Sequence, residues 1–204
     1  MENSRNLYIS DLHYGHKNCI NFDHLPFNTV EEMNETIITN WNSAVNTNDV
    51  VYVLGDMFWI NEKISTEILK QLNGTKILVK GNHDRCKTAE FKEQFERIDE
   101  YIEIHDGDNS LILCHYPIPS FRYHLYGTIH LYGHVHTSPE YDITLLAKNL
   151  TIKTMEKPCN MYNVGAMLPY MNFTPQTLEH ILPNAQKYEE EYISKSEIYN
   201  SYNI

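Results

Sequence analysis

Five short polar clusters in this 204-residue chain carry the side chains that can do chemistry: Asp11-Leu-His13, Gly55-Asp56, Gly81-Asn-His-Asp84, His115 and Gly133-His-Val-His136. Singly, each is ordinary, because Gly, Asn and Asp tolerate the backbone of tight turns. Turns have no need of histidine, yet His13, His83, His115, His134 and His136 all fall in these clusters. The chain holds 11 histidines, and imidazole is the commonest protein metal ligand. Seven residues are candidate ligands: Asp11, His13, Asp56, Asn82, His115, His134 and His136. Carboxylate, imidazole and amide oxygen without thiolate suit a borderline first-row divalent ion. Manganese comes first, with iron, zinc, cobalt or nickel as alternatives. Seven ligands are too many for one ion, whereas two ions sharing a carboxylate would use them. Two cations about 3.5–4 Å apart form a clamp for in-line displacement at phosphorus.

The clusters should meet in space because each follows a strand. Short apolar runs at 6–10, 50–54 and 76–80 read as strands. Between them, Thr29-Val-Glu-Glu32 fits a capping box ahead of Met33, Ile37, Trp41 and Val45, one face of a helix. Residues 63–72 carry a second helical face, stopped by Asn73-Gly74. Strand alternating with helix implies parallel strands buried between helices. Further strands are expected at 101–105 and 110–114, flanking a hairpin turn at 106–109, and at 129–132 and 160–164. Thr174-Pro175 reads as the cap and first position of a C-terminal helical tail, 174–204, whose end frays at the surface. Ligands of open α/β sheets bind beyond the carboxyl ends of the strands, which is where all five clusters fall.

Composition narrows the partners. Sixteen basic residues against 27 acidic ones give a formal charge of -11. That balance argues against long nucleic acid and anionic membrane surfaces. No apolar run approaches the ~20 residues of a membrane span, and no signal peptide is visible. One domain, 1–204, in the cytoplasm is the expectation. The four cysteines have neither zinc nor disulfide spacing and are expected to be free thiols.

Taken in order, D-x-H, G-D, G-N-H-D, H and G-H-x-H resemble the motif set of the calcineurin-like metallophosphoesterase superfamily. The segments at 9–16 (ISDLHYGH), 113–117 (LCHYP) and 131–136 (LYGHVH) look most like its small bacterial and phage-type members. The motifs span residues 6–136. The resemblance implies a four-layer α/β/β/α sandwich and two divalent metal ions. One ion would be held by Asp11, His13, Asp56 and His136, the other by Asp56, Asn82, His115 and His134. Asp56 and a solvent hydroxide would bridge them, and the hydroxide would attack phosphorus. His83 would protonate the leaving oxygen. His16, Arg85, Tyr116 and Arg122 are candidates for substrate contact, and Tyr14, Trp59 and Tyr123 for an aromatic wall. The implied substrate is a small phosphate ester, a phosphodiester or nucleotide rather than a phosphoprotein. Specificity is expected from loops at 117–126 and 139–158. A nuclease of the same superfamily is the alternative, which the net charge disfavours. A binding scaffold without catalysis is the other, which the complete ligand set disfavours.

Two departures stand out. Phosphoprotein phosphatases place an Asp three residues after the bridging Asp to orient the catalytic His; here that residue is Trp59. Asn163-Val-Gly165 is followed by Ala166 and Met167 where relatives often have an acidic residue.

Overall fold

The computed structural model describes residues 4–196. In chain order the elements are β1 (Asn6–Ile9), α1 (Cys19–Phe22), α2 (Val30–Ala44), β2 (Val50–Val53), α3 (Glu62–Leu69), β3 (Thr75–Val79), α4 (Ala89–Lys92), β4 (Arg97–Asp99), β5 (Tyr101–Asp106), β6 (Asn109–Cys114), β7 (Ile129–Tyr132), α5 (Pro139–Met155), β8 (Asn160–Asn163), β9 (Gln176–Thr177) and α6 (Leu178–Lys195). The fold is mixed α/β with two sheets rich in parallel pairs. One has the order β4-β3-β2-β1-β9, the other β5-β6-β7-β8. Only β9 against β1 and β5 against β6 are antiparallel.

The helices start where capping chemistry places them. Thr29 accepts from the Glu32 N–H at 3.1 Å, and Asn61 accepts from the Ile64 N–H at 3.1 Å. The capping box differs in one detail: the Glu32 carboxylate reaches the N–H of Asn28 at 2.8 Å rather than that of the cap residue. Met33, Ile37 and Trp41 turn the buried face of α2 inward. One core joins Leu7, Ile9, Val51 and Val53 of the first sheet to Leu111, Leu113, Ile129 and Leu131 of the second. The alternate residues Ile112 and Tyr132 pack instead with Tyr141 and Leu145 of α5, as the two-residue period of a strand requires. Tyr8 stacks on Tyr52 with ring centroids 5.4 Å apart and donates its hydroxyl to Asp106, at the β5–β6 turn, at 2.8 Å.

Three expectations are corrected. Residues 139–158, taken as a specificity loop, are largely α5. Ser138 caps it, Pro139 opens it, and Tyr141, Thr144, Leu145 and Lys148 bury its inner face. The C-terminal helix begins at Leu178 with Thr177 as cap, because Gln176 and Thr177 first pair with β1. That helix is no fraying surface element over its described length. Leu178, Ile181, Ala185 and Glu189 are buried, and Glu189 pairs with Lys148 of α5. The last residues of the expected tail, 197–204, lie outside the described residues. No helix among the described residues is long and apolar enough to cross a membrane.

Candidate metal centre

Backbone bonds lace the strand ends into one edge. Asp11 N–H donates to Gly55 O at 3.0 Å and His13 N–H to Asp56 O at 3.0 Å, joining the loops after β1 and β2. Ser10 N–H donates to Val164 O and Ala166 N–H to Ser10 O, joining the two sheets. Gly133 N–H donates to His115 O, joining the loops after β6 and β7. Gly81 and Gly133 are required by close approach. A Cβ at Gly81 would overlap Asp56 Oδ1, and one at Gly133 would overlap Ser10 Oγ and Asp11 Oδ2.

Five of the seven candidate ligands sit in left-handed backbone: Asp11 (φ 54°), His13 (44°), Asp56 (52°), His134 (71°) and His136 (47°). Such a conformation costs a non-glycine residue about 1–3 kcal/mol and clusters at functional sites. The strain has a geometric result, since the turn after each strand aims its side chain back over the sheet edge.

There the polar atoms form two groups, each with its ligand atoms within 4.8 Å of one another. Asp11, His13 and His136 make one; Asp11, Asp56 and His115 make the other. The carboxylate common to both is Asp11. Asn82 joins the second group, its Oδ1 3.1 Å from His115 Nε2. His134 is near but turned aside. Its ring lies 5.1 Å from that of His115, its N–H donates to Asp11 Oδ2 at 3.0 Å, and its Nε2 faces Glu140 at 3.9 Å.

The hydrogen bonds show which ring nitrogen of each histidine faces inward. His115 Nδ1 lies 2.7 Å from Leu54 O, so Nδ1 carries a hydrogen, and Nε2 points inward, 3.1 Å from Asn82 Oδ1 and 3.6 Å from Asp56 Oδ2. His136 Nδ1 lies 3.0 Å from both oxygens of Asp23, which leaves Nε2 pointing inward. That Nε2 is 3.0 Å from His13 Nε2. Two imidazole nitrogens so close need a proton or a cation between their lone pairs. Asp11 Oδ1 is buried without a hydrogen bond and faces His136 Nε2 at 3.7 Å, too long to satisfy it. Converging imidazole, carboxylate and amide ligand atoms, with an unsatisfied carboxylate oxygen among them, fit a divalent cation.

The electrostatics of the protein groups alone favour positive charge at this point, as a proton or as a metal ion. Burial pushes the Asp11 carboxyl up, but the facing imidazoles of His136, His115 and His13 outweigh it and hold it at about 2. Burial pushes His136 down, and the carboxylates of Asp11 and Asp23 overcome this to raise it to about 10. Burial lowers His13 to about 4, leaving it a neutral donor of a lone pair. Burial also raises Asp56.

His83 stands at the rim with its side chain 40% exposed, its Nε2 3.8 Å from Asp56 Oδ2. Its backbone N–H donates to Asp56 Oδ1 at 2.9 Å. Trp59 supplies the ring's support, with centroids 4.4 Å apart, and also packs on His16 at 4.0 Å. His13, His16, Asp56, Trp59, His83 and His136 line a cleft of about 220 Å³. Arg85 lines a neighbouring hollow instead. Tyr116 packs on His115 and His134. Arg122 and Tyr123 are elsewhere: Arg122 pairs with Glu103 at 2.7 Å, and both line a pocket on the β5–β6 edge. Tyr14 packs on Phe58.

The sequence reading missed Asp23, which orients His136, and Asp84, whose carboxylate accepts from the N–H groups of Asp56 (2.8 Å), Met57 (3.2 Å) and Gly81 (2.9 Å). Asp84 was visible as the last letter of G-N-H-D. Asp23 is seven residues beyond His16 in a segment without pattern, and nothing local marks it.

No protein-family model matches the chain. Among curated proteins, it is 39% identical over 137 residues to the uncharacterized protein MJ1445 of Methanocaldococcus jannaschii, covering 66% of this chain and 71% of that one. The chain belongs to the same family as that archaeal protein. It is 36% identical over 84 residues to the Gene 66 protein of Mycobacterium phage L5, 40% of either chain. Among solved structures, protein AQ665 of Aquifex aeolicus, of unknown function, matches at a TM-score of 0.58 and 25% identity, covering 87% of this chain and 97% of its own. A phosphoesterase of E. coli, Yfce, is a distant match at a TM-score of 0.32 and 15% identity over 64% of this chain.

Proposed function

We propose that the chain is a dinuclear-metal phosphoesterase of the calcineurin-like type, acting on a small phosphodiester or nucleotide. One observation carries the reading: strand ends from both sheets deliver Asp11, His13, Asp56, Asn82, His115 and His136 to one edge, where their ligand atoms converge and Asp11 Oδ1 has no hydrogen bond. The facing inner surfaces of the two sheets, with helices outside, support the four-layer arrangement.

Asp11, His13, His136 and Asp56 would hold one cation. Asp56, Asn82 and His115 would hold the other, with His134 swinging in from the rim. When bound, the cations would turn water into a nucleophile at neutral pH and offset charge on the phosphate oxygens. The chain's own residues do the rest. Asp23 and Leu54 O fix the tautomers of His136 and His115, so that each presents Nε2 inward. Asp84 pins the backbone on which Asp56 sits. His83 is exposed enough to meet a substrate and can hand its Nε2 proton to the leaving oxygen. Trp59 replaces an ionic partner in holding that ring.

The test is a panel of bis(p-nitrophenyl) phosphate, p-nitrophenyl phosphate and cyclic nucleotides, with manganese-loaded protein. Diester hydrolysis should exceed monoester hydrolysis. His83→Ala keeps the backbone N–H that holds Asp56, so metal content should stay while kcat falls about 10²–10⁴-fold. Absence of hydrolysis across the panel, or a His83→Ala variant as fast as the wild type, refutes the reading.

A further inference from the structure

Trp59, Asn82 and His83 line two spaces at once: the cleft over the carboxylate–imidazole cluster, and a larger hollow of about 550 Å³ beside it. Of the seven candidate ligands, Asn82 alone lines the hollow. Phe58 and Phe91 line it, and Trp59, 45% exposed, presents indole surface to it. Four charged residues line it as well: Glu62, Asp84, Arg85 and Lys87. The two acids are already committed. Glu62 accepts from Lys87 N–H at 2.7 Å, Thr88 N–H at 2.8 Å and Thr88 Oγ at 2.8 Å. Asp84 accepts from three backbone N–H groups beneath the cluster. The two cations make no such bonds. Among the described residues, neither the Arg85 guanidinium nor the Lys87 ammonium has a hydrogen bond or an ion pair. The two acids and two bases balance, so in a chain of net charge -11 this wall is locally neutral, with both cations lining the hollow.

We propose that the hollow is a nucleotide subsite: a base lies on the indole of Trp59, and a phosphate is held by Arg85 and Lys87. The proposal rests on the phosphoesterase reading for the direction in which groups depart. His83 stands between the two spaces, so a nucleotide in the hollow is the leaving group of a phosphate seated over the cluster. The substrate class is then one whose leaving group bears its own phosphate, a phosphoanhydride or dinucleotide, rather than an ester of a neutral alcohol. Hydrolysis balances as follows. The water oxygen bonds to phosphorus and releases a proton to solvent. The bond from phosphorus to the bridging oxygen breaks, and that oxygen leaves with the nucleotide and the proton from His83 Nε2. Flat rings and aromatic faces attract, and guanidinium matches phosphate through paired donors.

The experiment uses binding, independent of turnover. Of the two tryptophans, Trp41 is fully buried in the core, so Trp59 reports on the hollow. Chelator-stripped protein is titrated with ADP and with adenosine, following Trp fluorescence and, in parallel, heat. Without cations the carboxylates of Asp11 and Asp56 repel phosphate, which removes the cluster as a rival site. ADP should quench, with adenosine at least about tenfold weaker, and the Arg85→Ala/Lys87→Ala variant should weaken ADP by about tenfold or more. Lys80→Ala removes a positive charge that pairs with Glu100, outside the hollow, and should leave ADP affinity within about twofold. No heat from ADP, or equal ADP affinity in the wild type and the double variant, overturns the subsite. Hydrolysis of a dinucleotide or of bis(p-nitrophenyl) phosphate by the manganese-loaded wild type separates the two claims. ADP binding that depends on Arg85 and Lys87 without hydrolysis sustains the subsite and sinks the phosphoesterase reading. Hydrolysis with ADP binding indifferent to both residues does the reverse.

Discussion

Asp11 is the residue on which the site turns. Its carboxylate belongs to both metal-sized groups, one oxygen accepts from the His134 backbone N–H, and the other has no hydrogen bond. A buried carboxylate in that state is tolerable where a cation completes it and costly otherwise. Partners one step back matter almost as much. Asp23 touches no other candidate ligand, yet both its oxygens lie 3.0 Å from His136 Nδ1 and settle which nitrogen faces inward. Asp23→Ala should therefore lower metal affinity about 10–100-fold, read by titration of stripped protein, while the fold survives. Asp23 could not be found from sequence. Its role depends on a loop from the first sheet meeting a loop from the second, a contact across 113 positions. The candidate ligands were legible for the opposite reason, because each of their five clusters follows a strand and strand ends share an edge.

At the scale of elements, legibility followed the strength of the local pattern. The strands β1, β2, β3, β6 and β7 appear within a residue of their expected bounds, since each is a short apolar run closed by turn residues. The helix α5 was not read as one. Its residues, PEYDITLLAKNLTIKTM, are rich in Thr and Ile and show little one-sidedness, so its helicity comes from the Ser138 cap, Pro139 and packing on the second sheet. The strand β9 is two residues long and exists only through its pairing with β1. Caps and close approaches give predictions at this scale. Thr29→Ala should cost about 1 kcal/mol in denaturant unfolding through loss of its bond to Glu32 N–H. Gly133→Ala should do more harm at the site than to the fold, because the new methyl overlaps Ser10 Oγ and Asp11 Oδ2. About 1–3 kcal/mol of destabilisation is expected, together with loss of the second equivalent of metal.

For the molecule as a whole, charge and pH are coupled through a few buried groups. Asp49 is buried beside Arg5, and its carboxylate also accepts from the Asn46 N–H. Burial pushes its carboxyl up, but these bonds outweigh it and hold it below 3.8. A depressed carboxyl stabilises the fold above its unfolded value and loses that contribution as pH falls through its folded value. Asp49→Asn should cost about 1–3 kcal/mol at pH 7, and the gap from wild type should close as the pH drops below about 3.8. Metal should act in the same global manner: a cation that binds only the folded chain raises the melting temperature with concentration, and a chelator reverses it. The net charge of -11 then needs rereading, since two divalent ions would make the inner site positive where a phosphate must enter, while the outer surface stays acidic. The most direct measurement is stepwise addition of manganese to stripped protein, with hydrolysis of bis(p-nitrophenyl) phosphate followed at each step. Hydrolysis rising to a plateau at two equivalents is the expected result. No hydrolysis at any loading, or hydrolysis indifferent to added metal and to chelator, would contradict it.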